Sequence, residues 1–101
     1  MQPVKHIVMW NLRGDSEHER TDNIDKVKRE FEAIRHEIPG LKLLEIGVDF
    51  SKIDYACDVV LYSEFESVQA LQEYATHPAH IRVKEALGNL RTHRYQVDYV
   101  G

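Results

Sequence analysis

Two stretches of this chain are apolar on both faces of an extended strand, and few folds can bury such strands. In Val4–Leu12 the set Val4, His6, Val8, Trp10 and Leu12 alternates with Ile7 and Met9. In Tyr55–Glu64, Val59, Val60 and Leu61 follow one another without a polar break. A strand apolar on both sides belongs in the middle of a sheet with something packed on each face.

The segments between and around them read as follows. Ser16-Glu17-His18-Glu19 has the form of a capping box, the serine accepting from the amide three residues on and Glu19 reaching back. Ile24, Val27, Phe31, Ile34 and Ile38 then recur at spacings of three and four, one apolar stripe of a helix that Pro39-Gly40 stops. Lys42–Phe50 is a second strand with Leu44, Ile46, Val48 and Phe50 in phase, and Ser51–Asp54 turns into the third. Ser67 caps a short helix carrying Val68, Leu71 and Tyr74, and Pro78 suits the first turn of another that buries Val83, Ala86, Leu87 and Leu90. Gly88 lies near its end. Thr92–Val100 alternates Arg94, Gln96 and Asp98 against Tyr95, Val97 and Tyr99, the pattern of a half-covered or edge strand.

The order is therefore βαββαβ, a ferredoxin-like α+β arrangement with its second helix split at Pro78. Its antiparallel sheet places the first and third strands in the centre, where the two doubly apolar stretches need to be. Helices cover only one face of such a sheet. Ile7, Met9 and Val60 on the other face need a lid, and a second copy packed sheet against sheet supplies one. A homodimer is expected. At 101 residues the chain is a single domain, residues 1–101, that buries roughly 60–68% of its unfolded surface, which gives a second subunit something to add.

Composition narrows the function. Thirteen Lys+Arg against seventeen Asp+Glu give a net charge of −4, and the densest basic run, Lys26-Val27-Lys28-Arg29, is interrupted by acids on either side. Nucleic acid is not an expected partner. No apolar run spans a bilayer, so no membrane association is expected. Met1-Gln2-Pro3 leads into strand-like residues rather than a basic and then apolar leader, and the reducing cytoplasm is the expected compartment. The single Cys57 leaves no internal disulfide and no Cys-rich zinc site.

Chemistry concentrates in Tyr74-Ala75-Thr76-His77-Pro78-Ala79-His80, one phenol and two imidazoles around a helix junction. A neutral imidazole is a base near pH 7 and a phenol donates a hydrogen bond to a carbonyl or oxyanion. Each side chain also has a structural reading: Tyr74 as a core tyrosine, His77 as a cap of the junction, His80 and His6 as hydrogen-bonded structural histidines, Cys57 as inert packing. His77 and His80 are three apart, as metal ligands on a helix can be, with His93, Asp98 or Cys57 as further donors. Pro78 between them disturbs that geometry and no established metal motif is present, so neither metal nor cofactor is expected.

Val4-Lys5-His6-Ile7-Val8, Ile38-Pro39-Gly40, Phe65-Glu66-Ser67, the Tyr74–His80 segment and Val97-Asp98-Tyr99 form an ordered set along nearly the whole chain. Together they resemble the stress-responsive α/β-barrel (Dabb) domain family. The resemblance implies a dimeric α/β barrel, in a family mostly of unassigned activity that is often linked to stress responses. One plant branch contains polyketide cyclases that close a ring by intramolecular aldol condensation without metal or cofactor. The resemblance to their Tyr-x-x-His-Pro-x-His motif implies Tyr74 and His80 as catalytic residues, with His6 in the same pocket. The third-strand position where that branch carries a pocket histidine holds Cys57 here.

On this reading His6, Val8 and Trp10, with Tyr55, Cys57 and Val59 on the neighbouring strand, face the split helix and line a pocket for a small apolar or aromatic molecule. Two classes stay open: binding or stress protection without turnover, and a cofactor-independent cyclase or aldol-type enzyme using His80 and Tyr74. A monooxygenase of the dimeric α/β-barrel type is a third reading, by fold analogy alone.

Overall fold

Alternation in the first segment becomes a nine-residue strand, β1 (Val4–Leu12), whose inward set Val4, Val8, Trp10 and Leu12 is buried together with His6. The computed structural model describes residues 2–101. Helix α1 (Glu17–Ala33) starts where the capping residues place it, Ser16 Oγ accepting from the Glu19 amide at 3.1 Å. The return half of the box differs: Glu19 Oε2 accepts from the Asp15 amide at 2.8 Å, one residue before the cap. Val27, Phe31, Ile34 and Ile38 are buried as the stripe requires, and Phe31 stacks on Trp10 with ring centroids 5.5 Å apart.

After Gly40 the chain forms β2 (Leu41–Val48) and β3 (Val59–Phe65), then α2 (Val68–Thr76), α3 (Pro78–Leu87) and β4 (Arg91–Val100). The sheet order is β2-β3-β1-β4, antiparallel throughout, with the two doubly apolar strands in the centre. The α+β ferredoxin-like βαββαβ reading holds. Helices α1 and α2 pack on the face carrying Val8, Trp10, Leu61 and Phe65, and α3 packs against both of them. Ser67 caps α2 by accepting from the Ala70 amide at 3.0 Å.

Two strand boundaries differ from the sequence reading by more than one residue, and both lie in one connection. The second strand ends at Val48 instead of Phe50, and the third begins at Val59 instead of Tyr55. Phe50 and Tyr55 are therefore on an exposed loop, 93% and 84% accessible, not in phase with any core strand. The cause is two aspartates. Asp49 accepts from Ser51 Oγ at 2.8 Å and the Lys52 amide at 2.9 Å, turning the chain through a left-handed Lys52 (φ 57°). Asp58 accepts from the Leu12 amide at 2.7 Å, while its own amide donates to Trp10 O at 3.0 Å. Local side-chain bonds of this kind compete with a ladder, and here they override the strand propensity of Tyr55 and Cys57. In the last helix Ala79, Val83 and Leu87 are buried and Ala86 is half-buried, while Leu90, also half-buried, lies beyond its end.

Residues opposite one another in an antiparallel ladder share a face. The register pairs Trp10 with Arg94, Val8 with Gln96 and His6 with Asp98. The polar row of β4 consequently lies on the helix-covered side, beyond the edge of the helices. Tyr95, Val97 and Tyr99 join Met9, Ile7 and Val60 on the open face, where Met9, Tyr95, Val97 and Tyr99 are all exposed.

Candidate functional site

Between the sheet and α2 lies a cavity of about 390 Å³. Val4, His6, Val8 and Trp10 form its floor from β1, Leu71 and Tyr74 line it from α2, and His80 enters from α3. Five residues named from the sequence thus share one space: His6, Val8, Trp10, Tyr74 and His80. Cys57 and Val59 do not. Because the strand starts at Val59, Cys57 sits in the loop before it and lines a different concavity with Met9, Val60 and Tyr95. Val59 is 2% exposed and packs in the core at that end of the sheet. Burial and the neighbouring Asp58 and Asp49 carboxylates push the Cys57 thiol up, which makes it a poor nucleophile.

The helix junction sets the geometry of the phenol and imidazole. His77 ends α2 in an extended conformation and caps α3, its Nδ1 accepting from the Ala79 amide at 3.0 Å. His77 is therefore occupied by the fold. Among the described residues no group of three His, Cys, Asp or Glu side chains converges as ligands would. Pro78 at the start of α3 re-aims the chain, and His80 comes to lie against Tyr74 with ring centroids 4.3 Å apart and planes tilted by 33°.

His80 Nδ1 lies 3.2 Å from the Ala75 carbonyl. A carbonyl only accepts, so Nδ1 carries the proton and, in the neutral ring, Nε2 keeps its lone pair. Burial holds the imidazole below its ordinary value of 6.5; the Ala75 bond opposes this, and the cations Lys84, Arg91 and Arg94 add to it. A group whose folded-state value is depressed binds its proton more weakly folded than unfolded. Its contribution is present above 6.5 and is lost as pH falls below that value. The expected result is that His80→Gln flattens the fall in melting temperature between about pH 7.5 and about pH 5.5, measured beside the parent chain. An unchanged slope would show that other groups carry it.

Tyr74 is 3% exposed, tilted against Phe65 at 5.2 Å and edge-on to His6 at 6.1 Å. Its hydroxyl is buried without a hydrogen-bond partner among the described residues. Burial holds its proton well above the ordinary phenol value, against the pull of Arg91 and Arg94. His6 is also buried, its Nδ1 2.5 Å from Asp98 Oδ1, which fixes the ring toward β4. The β4 residues of this wall, Arg94, Gln96 and Asp98, are not among the pocket residues the sequence points to. Their alternation was visible, but only the register against β1 shows that the polar row, and not the apolar one, turns toward the cavity.

The domain model of the stress-responsive A/B barrel (Dabb) matches residues 4–101. The chain belongs to the Dabb family. No curated protein sequence matches this Dabb chain. Among solved structures, a dimeric protein of unknown function with a ferredoxin-like fold from Bacteroides fragilis is 31% identical, with a TM-score of 0.86 over 98% of this chain and 96% of that one. A dimeric ferredoxin-like protein of unknown function from Thermobifida fusca is 17% identical, with a TM-score of 0.83 over 99% and 92% of the two chains. The hydroxynitrile lyase of Passiflora edulis is 15% identical, TM-score 0.81, over 99% and 94%, a likeness of fold. Among the described residues of the Dabb chain no helix is long and apolar enough to cross a membrane.

Proposed function

We propose that this Dabb chain acts as a homodimer, closed across the open sheet face, that holds a small, largely apolar or aromatic molecule in the cavity beneath α2. The observation that carries the reading is the orphaned Tyr74 hydroxyl in the cavity wall. Leaving a buried hydroxyl unpaired costs about 1–3 kcal/mol, and a phenylalanine would fill the same space without that cost. A small turn of the ring toward the cavity would let a ligand carbonyl or hydroxyl satisfy it. The exposed Met9, Tyr95, Val97 and Tyr99, contiguous across β1 and β4, supply the apolar surface for the second copy, and the related proteins from Bacteroides fragilis and Thermobifida fusca are dimeric.

The test is a thermal-shift screen of small aromatic and medium-chain ketones and alcohols, run on the parent chain and on Tyr74→Phe. Ligand-free Tyr74→Phe is expected to be more stable by about 1–3 kcal/mol, yet to lose the upward shift that a hit gives the parent. A screen without hits, or a hit indifferent to the phenol, refutes the binding reading. Light scattering that gives the mass of one chain at micromolar concentration refutes the dimer.

A second reading is proton transfer at the same place, favoured by the free Nε2 of a neutral His80 in ring contact with Tyr74. His80 would take a proton from beside a substrate carbonyl while Tyr74 donates to the developing enolate oxygen, as the resemblance to plant polyketide cyclases implies. The third strand contributes only Leu61 to the cavity wall, so the branch's pocket histidine has no counterpart there. Loss of turnover in His80→Ala with ligand binding retained would separate this reading from binding alone.

A further inference from the structure

We infer that the molecule held in the cavity is an acid, its carboxylate or equally anionic group bound by Arg94 with Arg91 behind it. The inference rests on the binding reading above and names the class of ligand. One guanidinium, that of Arg94, lines the cavity where β1 and β4 are paired at Trp10 and Arg94, and a second, that of Arg91, lies behind it against Trp10. Arg94 lines the cavity wall from the solvent side. Arg91 is half-buried, its guanidinium over the Trp10 ring at 4.9 Å from the centroid.

Among the described residues neither arginine is paired with a carboxylate. Arg94 Nε donates to the neutral Gln96 Oε1 at 3.2 Å, and Gln96 Nε2 donates in turn to Asp98 Oδ2 at 3.0 Å. Asp98, the one acidic residue of the wall, is thereby taken up by Gln96 and His6. The arginines act on one another as well: burial first, and then the charge of Arg94, lower the proton affinity of Arg91.

A half-buried guanidinium beside a second, exposed one, with no counter-charge, is stabilised when an anion joins them. A guanidinium presents a planar fork of donors that fits a carboxylate through two parallel bonds. The same two cations act on the Tyr74 hydroxyl, so that donor lies within their field. An acid with an apolar body matches the whole arrangement: its head meets Arg94, and its body lies on Val8, Leu71 and Val4. Gln96 Oε1 takes both Nε and Nη2 of Arg94, which fixes the guanidinium in advance and leaves its Nη1–Nη2 end for the acid, lowering the ordering cost of binding.

The experiment compares 4-phenylbutanoate with its uncharged isostere 4-phenylbutanamide by calorimetric titration and thermal shift on the parent dimer, on Arg94→Gln and on Arg94→Lys. The parent is expected to prefer the acid by about tenfold or more, as a charge-assisted pair does over a neutral one. Arg94→Gln is expected to bring the acid down to the affinity of the amide, and Arg94→Lys to restore part of the preference. Equal binding of acid and amide by the parent overturns the anion assignment and leaves the cavity reading standing. Binding of neither probe, together with an empty ketone and alcohol screen, overturns both. An acid preference that survives Arg94→Gln removes Arg94 from the site.

Discussion

Phe65→Ala should cost about 3–5 kcal/mol of stability, the largest single effect expected in this chain. Phe65 is fully buried at the end of β3, where its Cα pairs with Val4 on one side and Leu41 on the other. Its ring meets His6 edge-on at 6.3 Å and Tyr74 at 5.2 Å, so it supports the two aromatic side chains of the cavity that come from different elements. Truncation removes transfer energy and leaves a hole that the sheet, hydrogen-bonded on both sides, collapses into poorly. A domain of this size has roughly 5–15 kcal/mol in total, so the variant stands close to unfolding at room temperature. Urea denaturation followed by tryptophan fluorescence reads the loss directly, because Trp10 is in the same core. A change below about 1 kcal/mol would mean that Tyr74 and His6 repack into the space.

Gly40→Ala is the second. Gly40 ends the α1–β2 connection at φ +79°, a conformation that costs an L-residue about 1–2 kcal/mol. A methyl group there would stand 2.6 Å from the Cβ of Ala70 and 3.1 Å from Glu66 Cγ, because the turn is pressed against the start of α2. Relieving that clash adds about 1–3 kcal/mol, for a total loss of about 2–5 kcal/mol. Helix α2 carries Tyr74, so a shift at Ala70 also disturbs the cavity wall. The variant is expected to lose ligand response along with stability. Pairing it with Ala70→Gly removes the clash but keeps the backbone strain, and the double-mutant cycle is expected to show coupling of about 1 kcal/mol or more. Simple additivity would place the whole effect in the backbone.

These effects sit at positions the amino-acid order marks to very different degrees. Phe65 reads from sequence as a residue between the third strand and the second helix, in the Phe65-Glu66-Ser67 motif, and Gly40 as a helix stop in the Ile38-Pro39-Gly40 motif. That both abut the elements holding Tyr74 is a matter of packing. The 49–58 connection shows the opposite error: Phe50, Tyr55 and Cys57 have strand propensity, and the reading carried strands through them. Asp49 closes a turn within its own loop, but Asp58 acts on the end of β1, forty-six residues away. No local pattern encodes such a bond. Cys57 lies away from the cavity because the strand starts after it, and Val59 because it is packed opposite Trp10 at the far end of β3.

The Tyr74–His80 segment was legible as a helix junction because proline has a fixed φ and no amide proton, and a histidine before it is free to cap. Its family was legible too, through an ordered set of short motifs. Local periodicity determined the order of elements, the central place of β1 and β3, and the inward set of α1, since each follows from side-chain direction at period 2 or 3.6. Only the tertiary structure decided which row of β4 faces the cavity, that Tyr74 buries its hydroxyl without a partner, and that Arg91 and Arg94 stand together without an acid. Those depend on strand register and on approach between elements far apart in sequence, and a one-residue change of register would have turned the other row inward.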